Sequence, residues 1–151
     1  TQPVARVWEA LLPADESYRR LTRTSDAQLM ADDTGLAWSP VYTTVAGNLP
    51  MPGLPTFGTN VKIVQSERLV AFVRTDLQVT TAGKVTLRWN DPAALQLWID
   101  RKPVDPAAEM TLDLSPGLHP IAVAIDLRQR KTPLRLELGT ASESAKFAVR
   151  P

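Results

Sequence analysis

The chain has 151 residues, a net charge of +1, 44% hydrophobic residues and 22% charged residues. That is enough for one ordinary hydrophobic core, and it leaves no basic footprint for nucleic acid. No apolar run approaches the roughly 18 residues that a membrane-spanning helix needs. The absence of cysteine removes disulfides, thiolate catalysis and cysteine-ligated metal or haem from this chain.

The chain opens on Thr1-Gln2-Pro3 without a methionine and closes on Pro151. It therefore reads as one domain, residues 1–151, taken from a larger protein. Thirteen prolines and seven glycines are spread along its length and separate short apolar segments. That punctuation belongs to all-β proteins.

Val4 to Leu12 fits a first strand. Pro13, Asp15 and Glu16 suit a helix start, so one or two short helical turns are expected between Asp15 and Met30. Asp32-Asp33-Thr34-Gly35 is turn chemistry, and Val41 to Val45 is strand-like. Residues 47–58 hold three glycines and three prolines and read as a long irregular loop. Its Leu49, Met51, Leu54 and Phe57 are too apolar for free solvation, so the loop should cover a sheet edge or dock onto a neighbour.

Beyond this loop the pattern becomes regular. Val61 to Val64 and Leu69 to Val79 are extended, and Val73, Thr75, Leu77 and Val79 share one face of the second segment. Val85, Leu87 and Trp89 alternate with Lys84, Thr86 and Arg88. After Asn90-Asp91-Pro92, Leu95, Leu97 and Ile99 alternate with Gln96, Trp98 and Asp100. A turn at Arg101-Lys102-Pro103 follows, then Met110, Leu112 and Leu114, then Ile121, Val123 and Ile125. Leu134, Leu136 and Leu138 form the last clear strand, and Ala145 to Val149 suits a further one. Short alternating strands with turns every eight to twelve residues predict an antiparallel β-sandwich.

The order of motifs over residues 69–139 resembles a PA14-type domain. The residues that carry the resemblance are Leu77-Gln78-Val79, Ala82-Gly83-Lys84-Val85, Asn90-Asp91, Leu95-Gln96-Leu97-Trp98-Ile99-Asp100 and Leu114-Ser115-Pro116-Gly117-Leu118-His119. The resemblance implies a jelly-roll-like sandwich and a binding or docking role beside exported glycosidases, proteases, adhesins or toxins. The segment Leu97 to Val104 is also similar to non-haem domains of planctomycete-type multidomain c-type cytochromes and dehydrogenases. Some PA14 adhesins hold calcium with two consecutive aspartates, since hard oxygen ligands suit that ion. Here the position reads Asn90-Asp91-Pro92, which lacks one carboxylate, and the family's Asp-Gly turn has become Asp100-Arg101. No cofactor is therefore expected, and Asp91 is the one weak calcium candidate.

His119 is the sole histidine; without partner ligands it suits a structural hydrogen-bonding role better than metal or base chemistry. Asp32, Asp33, Asp91, Asp100, Asp105 and Glu109 show no spacing that singles out a glycosidase pair. There is no nucleophile elbow and no phosphate-binding glycine loop. Four tryptophans remain, and exposed indole faces stack on sugar rings. Trp89 alternates with Val85 and Leu87 and belongs to the core. Trp98 falls out of phase with its neighbours, so either the outer sheet face is covered or Trp98 is a surface platform. Trp38 and Tyr42 flank Pro40 at a loop edge.

The candidate ligand residues are thus Trp98, Trp38, Asp91, Asn90 and Tyr42. They suit a non-catalytic module that binds a glycan, a cell-surface ligand or other domains of the same polypeptide. The alternative is a structural spacer within a multidomain oxidoreductase, for which all four indoles would be buried.

Overall fold

The computed structural model describes residues 4–12, 36–58, 69–140 and 146–149. All regular structure among them is β, in two antiparallel sheets that form a sandwich. The helical turns expected between Asp15 and Met30, the Asp32-Asp33 turn and the Val61 to Val64 segment lie outside the described residues. So the all-β expectation holds for the part described, and no helix there is long and apolar enough to cross a membrane.

The larger sheet is built on β4 (Leu69–Thr81) and β9 (Gly117–Asp126), paired from Val70 opposite Asp126 to Val79 opposite Gly117. Beyond β9 lie β6 (Leu95–Ile99) and the short β7 (Lys102–Val104). The other side of β4 is shared by β3 (Phe57–Gly58), β1 (Val7–Leu11) and β11 (Lys146–Val149), with β2 (Trp38–Tyr42) outside β1. The smaller sheet places β5 (Gly83–Trp89) between β10 (Leu136–Thr140) and β8 (Glu109–Leu114). Val4, bridged to Glu137, carries the chain from the small sheet into β1.

The period-2 faces read from sequence are those observed. Ala71, Val73, Leu77, Val79, Leu97, Ile121, Val123 and Ile125 from one sheet meet Val85, Leu87, Trp89, Leu136 and Leu138 from the other. Trp8 and Trp89 sit within this core with ring centroids 6.4 Å apart. The outer face of the small sheet is a solvated ladder: Lys84 pairs with Asp113, Arg88 with Glu109, and the Thr86 and Thr111 hydroxyls lie between them. Such cross-strand pairs set register more than they add stability.

Three boundaries differ from the sequence reading. The second strand is Trp38–Tyr42 rather than Val41 to Val45, and Val45 is 92% exposed in the turn beyond it. Among the described residues β2 is an edge strand, where the missing N–H of Pro40 is tolerated. The turn after β6 is Asp100-Arg101, since Lys102 and Pro103 already pair with Ile99 and Trp98. The last strand of the small sheet begins at Leu136, Leu134 being an isolated bridge to Leu49. That bridge draws the loop inward: Leu49 and Leu54 are buried and Met51 packs beside them, so these three side chains serve this domain's own core. Gly47 takes a left-handed φ of 88° against Val4, whose side chain leaves no room for a Cβ.

The large sheet is also covered on its outer face. Leu11, Val70, Phe72, Trp98 and Ala124 form a second buried cluster there, with Leu36, Trp38 and Ala122 against it. Ala124 lies opposite Phe72, and Ala122 opposite Trp98, so small residues on β9 leave space for the large rings on either side. Trp98→Ala should therefore cost about 3–5 kcal/mol, as a large core truncation does, read as a lower urea midpoint with an unchanged slope. Gly47→Ala should destabilise as well, because strain and overlap with Val4 act together.

Candidate functional site

The outer face of the large sheet is not flat. Where the buried cluster ends, a groove of about 390 Å³ opens, lined among the described residues by Trp38, Arg74, Asp76, Arg101, Leu118, Pro120 and Ala122. Strand alternation accounts for most of this lining. Arg74 and Asp76 occupy outward positions on β4, and Leu118, Pro120 and Ala122 occupy outward positions on β9. Asp76 faces Pro120 and Arg74 faces Ala122 in the ladder, so the charges come from β4 and the apolar floor from β9.

Two contacts hold Arg74 in place. Its guanidinium lies 3.9 Å from the Trp38 ring centroid, a cation–π stack, and an Nη reaches Glu9 Oε2 at 3.5 Å. The Trp38 indole N–H is buried without a hydrogen-bond partner. Leu118, at 62% exposure, is an apolar side chain standing open at the groove.

Arg101 reaches the groove from the β6–β7 hairpin. Asp100 and Arg101 form its two-residue turn, with φ of 53° and 66°. Positive φ at both central residues is the geometry that Asn-Gly or Asp-Gly adopts easily. Asp tolerates it, whereas arginine there costs about 1–2 kcal/mol from the contact of Cβ with the backbone. Asp100 has a structural reason for its place: both carboxylate oxygens accept from His119 Nδ1, at 2.8 and 2.9 Å.

His119 Nε2–H in turn donates to the Ser115 carbonyl at 2.7 Å. A carbonyl only accepts, so Nε2 carries a proton, and the carboxylate requires one on Nδ1 as well. Protonated on both nitrogens, the ring satisfies both acceptors and ties the Asp100-Arg101 turn to the turn before β9. Burial of the ring works against its charge, but the Ser115 carbonyl and the Asp100 carboxylate outweigh it and raise the His119 pKa above its ordinary 6.5.

At the opposite end, the Asn90-Asp91 loop is organised by Arg130, a buried residue. All five guanidinium N–H groups are used. Nε donates to Thr132 O, one Nη to Asp91 O and Ala93 O, and the other to Asn90 Oδ1 and Pro133 O. Asn90 is held in turn: Oδ1 also accepts from the Arg135 amide and Nδ2 donates to Pro133 O. The Asp91 carboxylate accepts from the Ala93 amide at 2.9 Å and closes the turn. The loop's inward oxygens thus surround a guanidinium.

The structure separates the sequence-predicted residues. Trp38 lines the groove, and Tyr42 stands 66% exposed at the far end of the same edge strand, outside it. Asn90 and Asp91 belong to the Arg130 loop. Trp98 takes the first of its two alternatives: at 3% exposure it fills the outer-face cluster and offers no ring face to a sugar. Arg74, Asp76, Leu118 and Pro120 carried no sequence signal, because outward residues of a strand look alike until a neighbour makes a groove of them. Arg101 did carry one, as an arginine where the resemblance has glycine. Compared with known protein families, curated proteins and solved structures, the chain matches none.

The His119 contacts make stability pH-dependent. A folded pKa above the unfolded value means a contribution that is complete below about pH 6.5 and fades as pH rises through the folded value. Thermal melts from pH 5.5 to 9 should show that decline in the native chain, and it should be absent from His119→Gln. Arg130→Lys should cost about 1–3 kcal/mol, because an ammonium with three donors cannot replace the five hydrogen bonds of the buried guanidinium, measured by equilibrium denaturation.

Proposed function

We propose that this chain is a non-catalytic, jelly-roll-like module of a larger exported protein, and that it binds a carbohydrate or other cell-surface ligand in the Trp38 groove. The observation that carries this reading is the groove itself. Its volume suits a small ligand, and it combines an indole, fixed charges and apolar floor residues on rigid strands. Ligand sites built on strands are held more firmly than sites on loops.

Several features favour binding over catalysis. Asp76 is the single carboxylate in the groove lining among the described residues, whereas glycoside hydrolysis uses two across the bond. His119 has both ring nitrogens committed to structural acceptors. The Asn90-Asp91 loop, the calcium position of the PA14 resemblance, already holds the Arg130 cation among its oxygens. Binding in the groove is therefore proposed to be independent of calcium.

A spacer role within a multidomain oxidoreductase is the second reading, and one observation favours it. Trp8, Trp89 and Trp98 are all consumed by the domain's own packing, which leaves Trp38 as the one described indole able to report on a ligand.

Intrinsic fluorescence distinguishes the two. Oligosaccharide binding should perturb Trp38 emission equally in calcium and in EDTA. Trp38→Phe should abolish the signal and weaken affinity about two- to fivefold in calorimetry, the value of the cation–π contact that holds Arg74. A chain indifferent to neutral and acidic oligosaccharides alike, yet associating with its flanking domains, would be a spacer.

A further inference from the structure

Resting on the groove as the ligand site, we infer that it takes neutral oligosaccharides and recognises them through Asp76, whose carboxylate accepts from adjacent ring hydroxyls. The charged residues of the lining are not equally available. Arg74 is stacked on Trp38 and paired with Glu9, and Arg101 has a partner of its own. Asp76 is half-buried, and no hydrogen bond or ion pair engages its carboxylate among the described residues.

The strand ladder accounts for this. Asp76 faces Pro120 on β9, and the outward residues on either side of that proline are Leu118 and Ala122. None of the three carries a side-chain donor. Arg74 shares the face of Asp76 two residues away, but Glu9 and the Trp38 ring hold its guanidinium toward β1 and β2. A carboxylate that is partly desolvated and given no donor gains nothing from the fold. Its acceptor sites stay open to a ligand.

The surroundings of Asp76 set the chemistry of that ligand. An ionised carboxylate only accepts, so the ligand supplies the donors. An ammonium meets the two guanidinium groups in the same lining, and an anion meets Asp76 itself. Neutral hydroxyls meet neither opposition. Adjacent hydroxyls on a sugar ring present two donors side by side to the two carboxylate oxygens, and bonds to a charged acceptor are strong ones. Leu118, which is 62% exposed, and Pro120 offer apolar surface for the C–H face of the ring.

Asp76→Asn and Asp76→Ala separate this role from a structural one. Both variants should melt within about 2 °C of the native chain, as outward substitutions that break no contact do. A larger fall would show that the carboxylate holds the fold, and the inference would be lost. Calorimetry with cello-, xylo-, manno- and malto-oligosaccharides should show that the native chain binds at least one of these neutral chains. Asp76→Ala should weaken that binding roughly tenfold or more, the value of hydrogen bonds to a charged acceptor. Asp76→Asn should weaken it roughly three- to tenfold, since the amide keeps one acceptor oxygen.

Oligogalacturonate and oligoglucosamine of matched length should bind roughly tenfold more weakly than the best neutral chain. Neutral-chain binding unchanged in both variants would overturn Asp76 as the acceptor while leaving the groove a carbohydrate site. Equal or tighter binding of oligogalacturonate or oligoglucosamine would overturn the neutral class in favour of an anionic or a cationic sugar. Binding of none of these sugars would remove the inference and the carbohydrate reading together.

Discussion

The pairing of β4 with β9 is the constraint on which the rest of the molecule depends. These two long strands stay in register from Val70 opposite Asp126 to Val79 opposite Gly117, at the middle of the larger sheet. Strand side chains alternate strictly between faces, so a slip of one residue would send every core residue outward. One register therefore does two jobs. It delivers Val73, Leu77, Ile121, Val123 and Ile125 to the space between the sheets, and it sets Arg74 and Asp76 beside Ala122 and Pro120 on the other face. Core and groove are opposite sides of the same ladder, and neither can be altered by sliding a strand without losing the other.

Along the outer face the character changes from one end to the other. Around Phe72 and Trp98 it is apolar and closed, the two rings being set around the small side chains of β9. Toward Val79 and Gly117 the outward residues include Arg74, Asp76, Leu118 and Pro120, and the surface opens into the groove. Trp38 belongs to both regions: it packs against the closed cluster and takes the Arg74 guanidinium. The groove is consequently bordered by a rigid, buried wall rather than by loops alone.

Both ends of the sandwich use a buried cation to tie turns together. At one, His119 joins the β6–β7 turn to the turn before β9 through Asp100 and Ser115. At the other, Arg130 gathers carbonyls from residues 91, 93, 132 and 133 with the Asn90 side chain. The chemistry differs in one respect. Burial lowers the Arg130 pKa, yet a guanidinium remains charged throughout the range in which proteins fold. The imidazolium titrates, so the end of the molecule nearest Arg101 is the one that responds to pH.

By itself, the sequence determined the strands and their faces. Alternation at Val73 to Val79, Val85 to Trp89 and Leu134 to Leu138 is a local property, since successive side chains of an extended backbone must point opposite ways. The core placement of Trp89 followed from the same logic. The 47–58 loop was legible as a covering segment, but the Leu49–Leu134 bridge decided that Leu49, Met51 and Leu54 cover this domain's own core. What tertiary structure decided was everything that depends on which strands become neighbours. Whether Trp98 stood on a surface or under a cover turned on β9 offering Ala122 and Ala124 beside it. Arg74 and Asp76 gained a shared groove with Trp38 and Arg101 only when segments spread from residue 38 to residue 122, on β2, β4, β9 and the β6–β7 turn, met on one face. Period and turn chemistry are written along a chain; proximity between distant segments is set by the packing of the whole sheet.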